Sequence, residues 1–129
     1  MPSFHDSATS GAPPEEVWKL LYDPSRFPEW WAGIATVEVK GDGEYTAYPD
    51  GYPDFPMAQL LATQSDGHRV TVSCLVSDLR FEWRLEPAGH GTLVTVDVEI
   101  PDSESERLET QREVISTSIR QLAQLAGRA

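Results

Sequence analysis

From Ile34 to Ile100 apolar side chains return at every second position, in short runs broken by turn-forming residues. A period of two belongs to strands that bury one face and wet the other, and short connections between successive runs make the neighbours antiparallel. The pattern predicts strands near 35–40, 44–48, 57–64, 68–76, 79–86 and 92–100. Asp66-Gly67 suits a two-residue hairpin turn, whose twist matches that of paired strands. With that turn, Gln59 points inward opposite Cys74. With Ser77-Asp78 as the next turn, Cys74 faces Phe81 and Val72 faces Trp83. With Ala88-Gly89-His90-Gly91 as the loop after it, Trp83 faces Val96, Phe81 faces Val98, and Arg80 meets Glu99 on the other side. One face then collects Val70, Val72, Cys74, Val76, Leu79, Phe81, Trp83, Leu85, Val94, Val96, Val98 and Ile100. A slip of one residue would turn every side chain over, so agreement across three strands supports the register.

The flanking segments have a different period. Residues 3–10 read as a strand, and Gly11-Ala12-Pro13-Pro14 then places proline in the first turn of a short helix, where its missing N–H costs nothing. Glu15 and Glu16 favour the positive end of that helix, Val17, Leu20 and Leu21 form its apolar stripe, and Asp23-Pro24 ends it. A second short helix is expected over Ser25–Trp31, gathering Phe27, Trp30 and Trp31 before Gly33 releases the chain. After Pro101, the run Ser103-Glu104-Ser105-Glu106 has the pattern of a capping box opening a long helix over 103–126. Leu108, Ile115, Ile119, Leu122 and Ala126 recur at helical spacing, with Val114 and Leu125 on a flank. At about 1.5 Å per residue that helix spans roughly 36 Å, enough to cross a sheet. The layout is α+β, with the helices on one side of an antiparallel sheet.

Composition bounds the rest. At 129 residues the chain is expected to form one domain over 1–129. Its 21 Asp and Glu against 10 Lys and Arg give a net charge of -11, a field that repels phosphate backbones and anionic membrane surfaces, so no nucleic-acid partner is expected. Four Trp, four Tyr and four Phe are too much bulky apolar surface for a disordered acidic tail. The single cysteine, Cys74, excludes an internal disulfide and a zinc cluster, and His5, His68 and His90 have no partner at metal-ligand spacing, so neither metal nor cofactor is expected. With no signal-like start and no apolar run of membrane-spanning length, a cytoplasmic protein without membrane insertion is the default.

The stretch Ala12-Pro-Pro-Glu-Glu-Val-Trp-Lys-Leu-Leu-Tyr-Asp-Pro-Ser-Arg-Phe-Pro-Glu-Trp-Trp31 resembles the opening of the START/Bet v 1-like (SRPBCC) superfamily, particularly its bacterial polyketide cyclase/dehydrase and lipid-transport branch. Phe81-Glu-Trp-Arg-Leu-Glu-Pro87 followed by Gly91-Thr-Leu-Val-Thr-Val96 is similar to that family's last hairpin. The resemblance implies a helix-grip fold: a curved antiparallel sheet wrapped around the long C-terminal helix, with two short helices after the first strand and an apolar cavity between sheet and helix. Many members are longer, so a chain of this length implies a smaller cavity or a more open groove. No shared catalytic motif carries over residue by residue.

Candidate ligand contacts follow from the predicted inner face. Trp30 and Trp31 offer flat apolar faces and an N–H each, for a pocket wall or for anchoring the short helices to the sheet. Cys74, Phe81, Trp83 and Val96 lie where cavity walls would stand, with Ile115 and Ile119 facing them from the helix; the same residues would pack a filled core. Gln59 is a buried amide that needs a partner, in the protein or in a ligand. Tyr48-Pro-Asp-Gly-Tyr-Pro-Asp-Phe-Pro56 has three prolines and three aromatics in one connection, which suggests Tyr48, Tyr52 and Phe55 as a rim over the cavity or as a cap on the core. Tyr45 and Tyr48 offer hydroxyls to a ligand carbonyl. Trp18 reads as packing, Cys74 has no base or cation in its strand to activate it, and the acidic runs read as solvated helix surface. Three functions remain open. The first is non-covalent binding of a small hydrophobic or aromatic molecule, lipid-like or polyketide-like. The second is a polyketide aromatase/cyclase or dehydratase. The third is a protein-partner module of the chaperone-activator type, and a homodimer stays open as an assembly.

Overall fold

The structure, a computed structural model, describes residues 3–41, 43–49, 56–63, 69–75 and 79–127, with positions 49, 103 and 104 by backbone alone. Strand β1 (Ser3–Ser10) leads into helix α1 (Pro14–Leu21) and a 3-10 segment (Pro24–Glu29). Six strands follow: β2 (Ile34–Gly41), β3 (Glu44–Pro49), β4 (Met57–Thr63), β5 (Arg69–Cys74), β6 (Arg80–Ala88) and β7 (Gly91–Glu99). A second 3-10 segment (Asp102–Arg107) opens the closing helix α2 (Leu108–Gly127). The strands form one antiparallel sheet in the order β1-β7-β6-β5-β4-β3-β2.

This order sets the architecture. β1 and β2 are consecutive in the chain yet occupy opposite edges, so the segment between them must cross the sheet. It crosses with α1 packed on β6, β7 and α2, and the 3-10 segment packed on β2. Helix α2 runs back along β1 and β7. The result is the helix-grip arrangement, a curved antiparallel sheet closed on a C-terminal helix. No helix among the described residues is long and apolar enough to cross a membrane.

The alternating face is buried as its pattern requires: Val70, Val72, Cys74, Leu79, Phe81, Trp83, Leu85, Val94, Val96, Val98 and Ile100 all lie in the core. Val76 lies outside the described residues. From α2 come Ile115, Ile119, Leu122 and Ala126, and from α1 Val17, Leu20 and Leu21. Each Val, Leu, Ile or Phe among them contributes about 1.5–3 kcal/mol on full burial. The outer face carries cross-strand ion pairs instead: Arg69–Glu82, Arg80–Glu99 and Arg84–Asp97.

The β6–β7 register is the expected one, with Phe81 opposite Val98, Trp83 opposite Val96 and Arg80 opposite Glu99. Gln59 opposes Cys74, the register that a two-residue turn at Asp66-Gly67 implies, although 64–68 lie outside the described residues. The β5–β6 register differs. Val72 faces Phe81 and Val70 faces Trp83, and the Cys74 N–H donates to the Leu79 carbonyl at 2.8 Å. The connection is therefore the four residues 75–78, not Ser77-Asp78 alone, and β5 ends at Cys74. Because the shift is two residues, no side chain changes face.

Both helix starts are corrected in a similar way. The segment expected as a short helix over Ser25–Trp31 is 3-10 over Pro24–Glu29, because Pro28 has no N–H for an α-type bond. At the C-terminal end Pro101 takes the capping position without a side-chain cap, and the chain is 3-10 from Asp102 to Arg107. That stretch has no apolar residue to hold an α turn against the sheet, and the α-helix begins at Leu108, the first that does.

Candidate ligand cavity

Because α2 follows β1 and β7, the inner surface of β3, β4 and β5 extends beyond it. There a half-open cavity of about 260 Å³ remains between the sheet, the start of α2 and the segment leading into β2. That segment supplies Trp31, Ala32, Gly33 and Ile34. The sheet supplies Tyr45, Ala47, Met57, Gln59, Cys74, Leu79 and Phe81. The helix side supplies Arg107, Thr110, Gln111 and Val114.

Two devices hold the first wall in place. The Ser118 hydroxyl accepts the Ala32 N–H at 2.9 Å and donates to the Val114 carbonyl at 2.6 Å, which ties the wall to α2. Gly33 then reverses the chain at φ +87°, a backbone region that favours glycine. Beneath the cavity is a continuous aromatic cluster. Trp31 stacks on Trp30 at 5.3 Å between ring centroids and meets Phe81 edge-on at 5.1 Å, while Trp83 meets Trp30 edge-on at 5.2 Å. Phe27 joins Trp30, Trp31 and Tyr45. Edge-on and offset pairs add about 0.5–1.5 kcal/mol beyond area burial, so this floor is stiff.

The two adjacent tryptophans divide the work. Trp30 is fully buried and its Nε1–H donates to the Leu20 carbonyl at 3.1 Å, anchoring the 3-10 segment to α1. Trp31 is the one that lines the cavity. With it stand four more of the residues singled out from the sequence: Tyr45, Gln59, Cys74 and Phe81. Trp83, Val96, Ile115 and Ile119 do not line this cavity; they are at most 1 % exposed and lie where sheet and helix meet directly. Trp83 Nε1 is buried without a hydrogen-bond partner among the described residues, so its position is set by the fit of its rings. Tyr48 alternates to the outer face of β3, where its hydroxyl donates to Glu38 at 3.3 Å, which corrects its expected place on a rim. Tyr52 and Phe55 lie outside the described residues.

The polar groups of the cavity come from two sides. On the sheet, Tyr45 and Gln59 are register partners, and Gln59 is in turn opposite Cys74. Burial, and after it the nearby Cys74 thiol, pushes the Tyr45 phenol far above its ordinary range, so it is a neutral donor and not a base. From the 3-10 turn and α2, Arg107, Thr110 and Gln111 are spaced as one face, which the apolar Val114 continues. The three polar residues were not singled out in the sequence, where they read as exposed helix surface. Only a spacing of three and four, with Val114 at seven, signals a common face. No His, Asp or Glu lines the cavity among the described residues, and no three His, Cys, Asp or Glu side chains there group to hold a metal.

A sheet gripping a C-terminal helix over an apolar cavity defines a class of folds that hold hydrophobic ligands. The chain belongs to the polyketide cyclase/dehydrase and lipid transport family, whose model matches residues 1–127. Among curated proteins none matches. Solved structures do. The protein XoxI from Bacillus cereus superposes with a TM-score of 0.81 at 16% identity, over 97% of this chain and 95% of that one. A START superfamily protein from Mycobacterium smegmatis gives 0.74 at 12% identity, over 95% of this chain and 98% of that one. The di-domain ARO/CYC StfQ from the steffimycin biosynthetic pathway gives 0.76 at 10% identity, over 98% of this chain and 50% of that one. At these identities the likeness is one of fold.

Proposed function

We propose that this protein binds a small hydrophobic or aromatic molecule, without covalent chemistry, in the cavity between the sheet and the start of α2. The observation that carries the reading is the cavity itself, walled by Trp31, Phe81, Met57, Leu79 and Ile34 and open at one side. Its volume of about 260 Å³ is just under the usual range for ligand sites, roughly 300–1,000 Å³, and less than twice the ~150 Å³ that encloses one benzene. The fitting ligand has one or two rings, or a short branched chain. A full-length lipid does not fit within it. The family's description, polyketide cyclase/dehydrase and lipid transport, supports a ligand of this chemical kind.

A screen of one- and two-ring aromatics and short acyl compounds by thermal shift and native mass spectrometry tests the reading. At a hundredfold excess over Kd a ligand adds about 2.7 kcal/mol, which raises Tm by roughly 10 °C in a domain of this size. A one-to-one complex is expected, and Ala47→Phe, which fills the cavity, should abolish it. Shifts that persist in Ala47→Phe would place the ligand elsewhere and overturn the reading.

A second reading is aromatase/cyclase or dehydratase activity, favoured by the Tyr45 hydroxyl and Gln59 amide, both able to polarise a carbonyl in a water-poor site. Against it stands the lack of a His, Asp or Glu on the described cavity wall to move protons. Turnover of a poly-β-keto substrate that Tyr45→Phe abolishes, with binding retained, would establish it over simple binding.

A further inference from the structure

Polar side chains inside a protein are ordinarily paired, so one that is not calls for a physical reason. The inner face of the sheet holds two such groups side by side. Tyr45 of β3 and Gln59 of β4 stand opposite each other in the register, and both line the cavity. Tyr45 is only 2 % exposed, and Phe27 meets its ring edge-on at 5.5 Å between centroids. Yet neither its hydroxyl nor the Gln59 amide has a hydrogen-bond partner among the described residues. Trp83 Nε1 is sealed in the core by packing, whereas the Tyr45 hydroxyl oxygen keeps contact with the cavity. Side chains directly opposite on neighbouring antiparallel strands have Cβ atoms about 4.5–5.5 Å apart, so a hydroxyl and an amide placed there could satisfy each other. These two do not, and both remain available to a third group between them.

We propose that the ligand is an uncharged aryl ketone whose carbonyl oxygen accepts two hydrogen bonds, from the Tyr45 hydroxyl and from the Gln59 side-chain amide, while its ring lies against Trp31 and Phe81. This rests on the binding function proposed above, names the class of its ligand and requires no turnover. A carbonyl oxygen has two lone pairs, which matches two donors converging from adjacent strands. Burial keeps the Tyr45 phenol protonated, so it donates throughout the ordinary pH range. The same burial disfavours a charge at this end of the cavity, which selects a neutral carbonyl over a carboxylate. A ligand with no oxygen there would cover both groups and leave them unpaired, so the pair sets specificity as well as orientation.

The test compares two probes of one shape, 2-acetylnaphthalene and 2-isopropenylnaphthalene, which differ by an oxygen against a methylene group. In calorimetry the wild-type protein is expected to bind the ketone about tenfold more tightly than the hydrocarbon. Tyr45→Phe and Gln59→Leu should each lower ketone affinity several-fold without abolishing binding. The double variant should bind the two probes alike, with hydrocarbon affinity no weaker than in the wild type. Infrared difference spectra give a second readout: the C=O stretch of the bound ketone should lie below its value in hexane and move back up in each single variant. Equal affinities in the wild type, or a preference that survives in the double variant, overturn this proposal and leave the binding function standing. So does a C=O stretch that neither substitution moves. If naphthalene and both probes all fail to bind, the proposed function falls with it.

Discussion

At Gly91 the chain has no room for a side chain, since a Cβ there would run into the Ser10 carbonyl oxygen and crowd Gly11. This is the point where the end of β1 meets the start of β7, and three buried hydrogen bonds fasten it. Ser10 Oγ donates to the Ala123 carbonyl, Thr92 Oγ1 donates to the Ala12 carbonyl, and the Ala12 N–H donates to Ser10 Oγ. Backbone cannot yield there as a flexible side chain would, so Gly91→Ala is expected to cost about 1–3 kcal/mol, read as a lower urea midpoint at unchanged slope. Tyr45 makes a different residue-scale prediction. Its folded pKa lies above the unfolded value of about 10, so the folded state holds the proton more tightly. The stability this contributes is fully present below pH 10 and is lost as pH rises beyond it. Stability should therefore fall more steeply above pH 10 in the wild type than in Tyr45→Phe. Equal slopes in alkaline urea titrations would mean that the phenol is solvated.

On the scale of elements, α2 does more than cover the sheet, because Ser118 couples it to the wall of the cavity. Ser118→Ala leaves the Ala32 N–H without its partner, a loss of about 1–3 kcal/mol, and amide exchange should quicken at Ala32 more than in the centre of β6. If Ala32 exchanges no faster, the wall is held by packing alone. The strands show how far periodicity reaches. The β6–β7 hairpin was legible because Ala88 pairs with Gly91 around a two-residue turn with Gly89 at φ +60°. The β5–β6 turn was not, because Leu75 and Val76 continue the apolar run of the strand and hide the place where pairing stops. The even size of that error kept the buried face intact. The site was legible only in part for a related reason. Inward-facing aromatics such as Trp31 and Trp83 look alike in sequence, and which one borders a space depends on where α2 leaves the sheet. That divergence is long-range geometry, and it also turned Arg107, Thr110 and Gln111 from surface into cavity wall.

Over the whole molecule the net charge of -11 sets two effects against each other. A chain of this length has a radius of gyration of about 14 Å, so at 0.01 M salt, with a Debye length of about 30 Å, all its charges repel one another across the fold. The unfolded chain is more than twice as wide and relieves that repulsion. Against this stand ion pairs such as Arg26–Glu29 and the three on the outer sheet face, with separations up to 4.0 Å. Exposed pairs of this kind contribute roughly 0–1 kcal/mol each, and salt weakens short contacts less than long-range repulsion. Screening should therefore remove more repulsion than attraction. Tm is expected to rise as sodium chloride goes from 0.01 to about 0.15 M, where the Debye length drops to roughly 8 Å, and to level off above it. The scan should show a single transition, since the sheet and both helices share one core. A Tm that falls over the same range would mean that the paired charges outweigh the excess of acid, and that the outer face of the sheet stabilises the fold as well as solvating it.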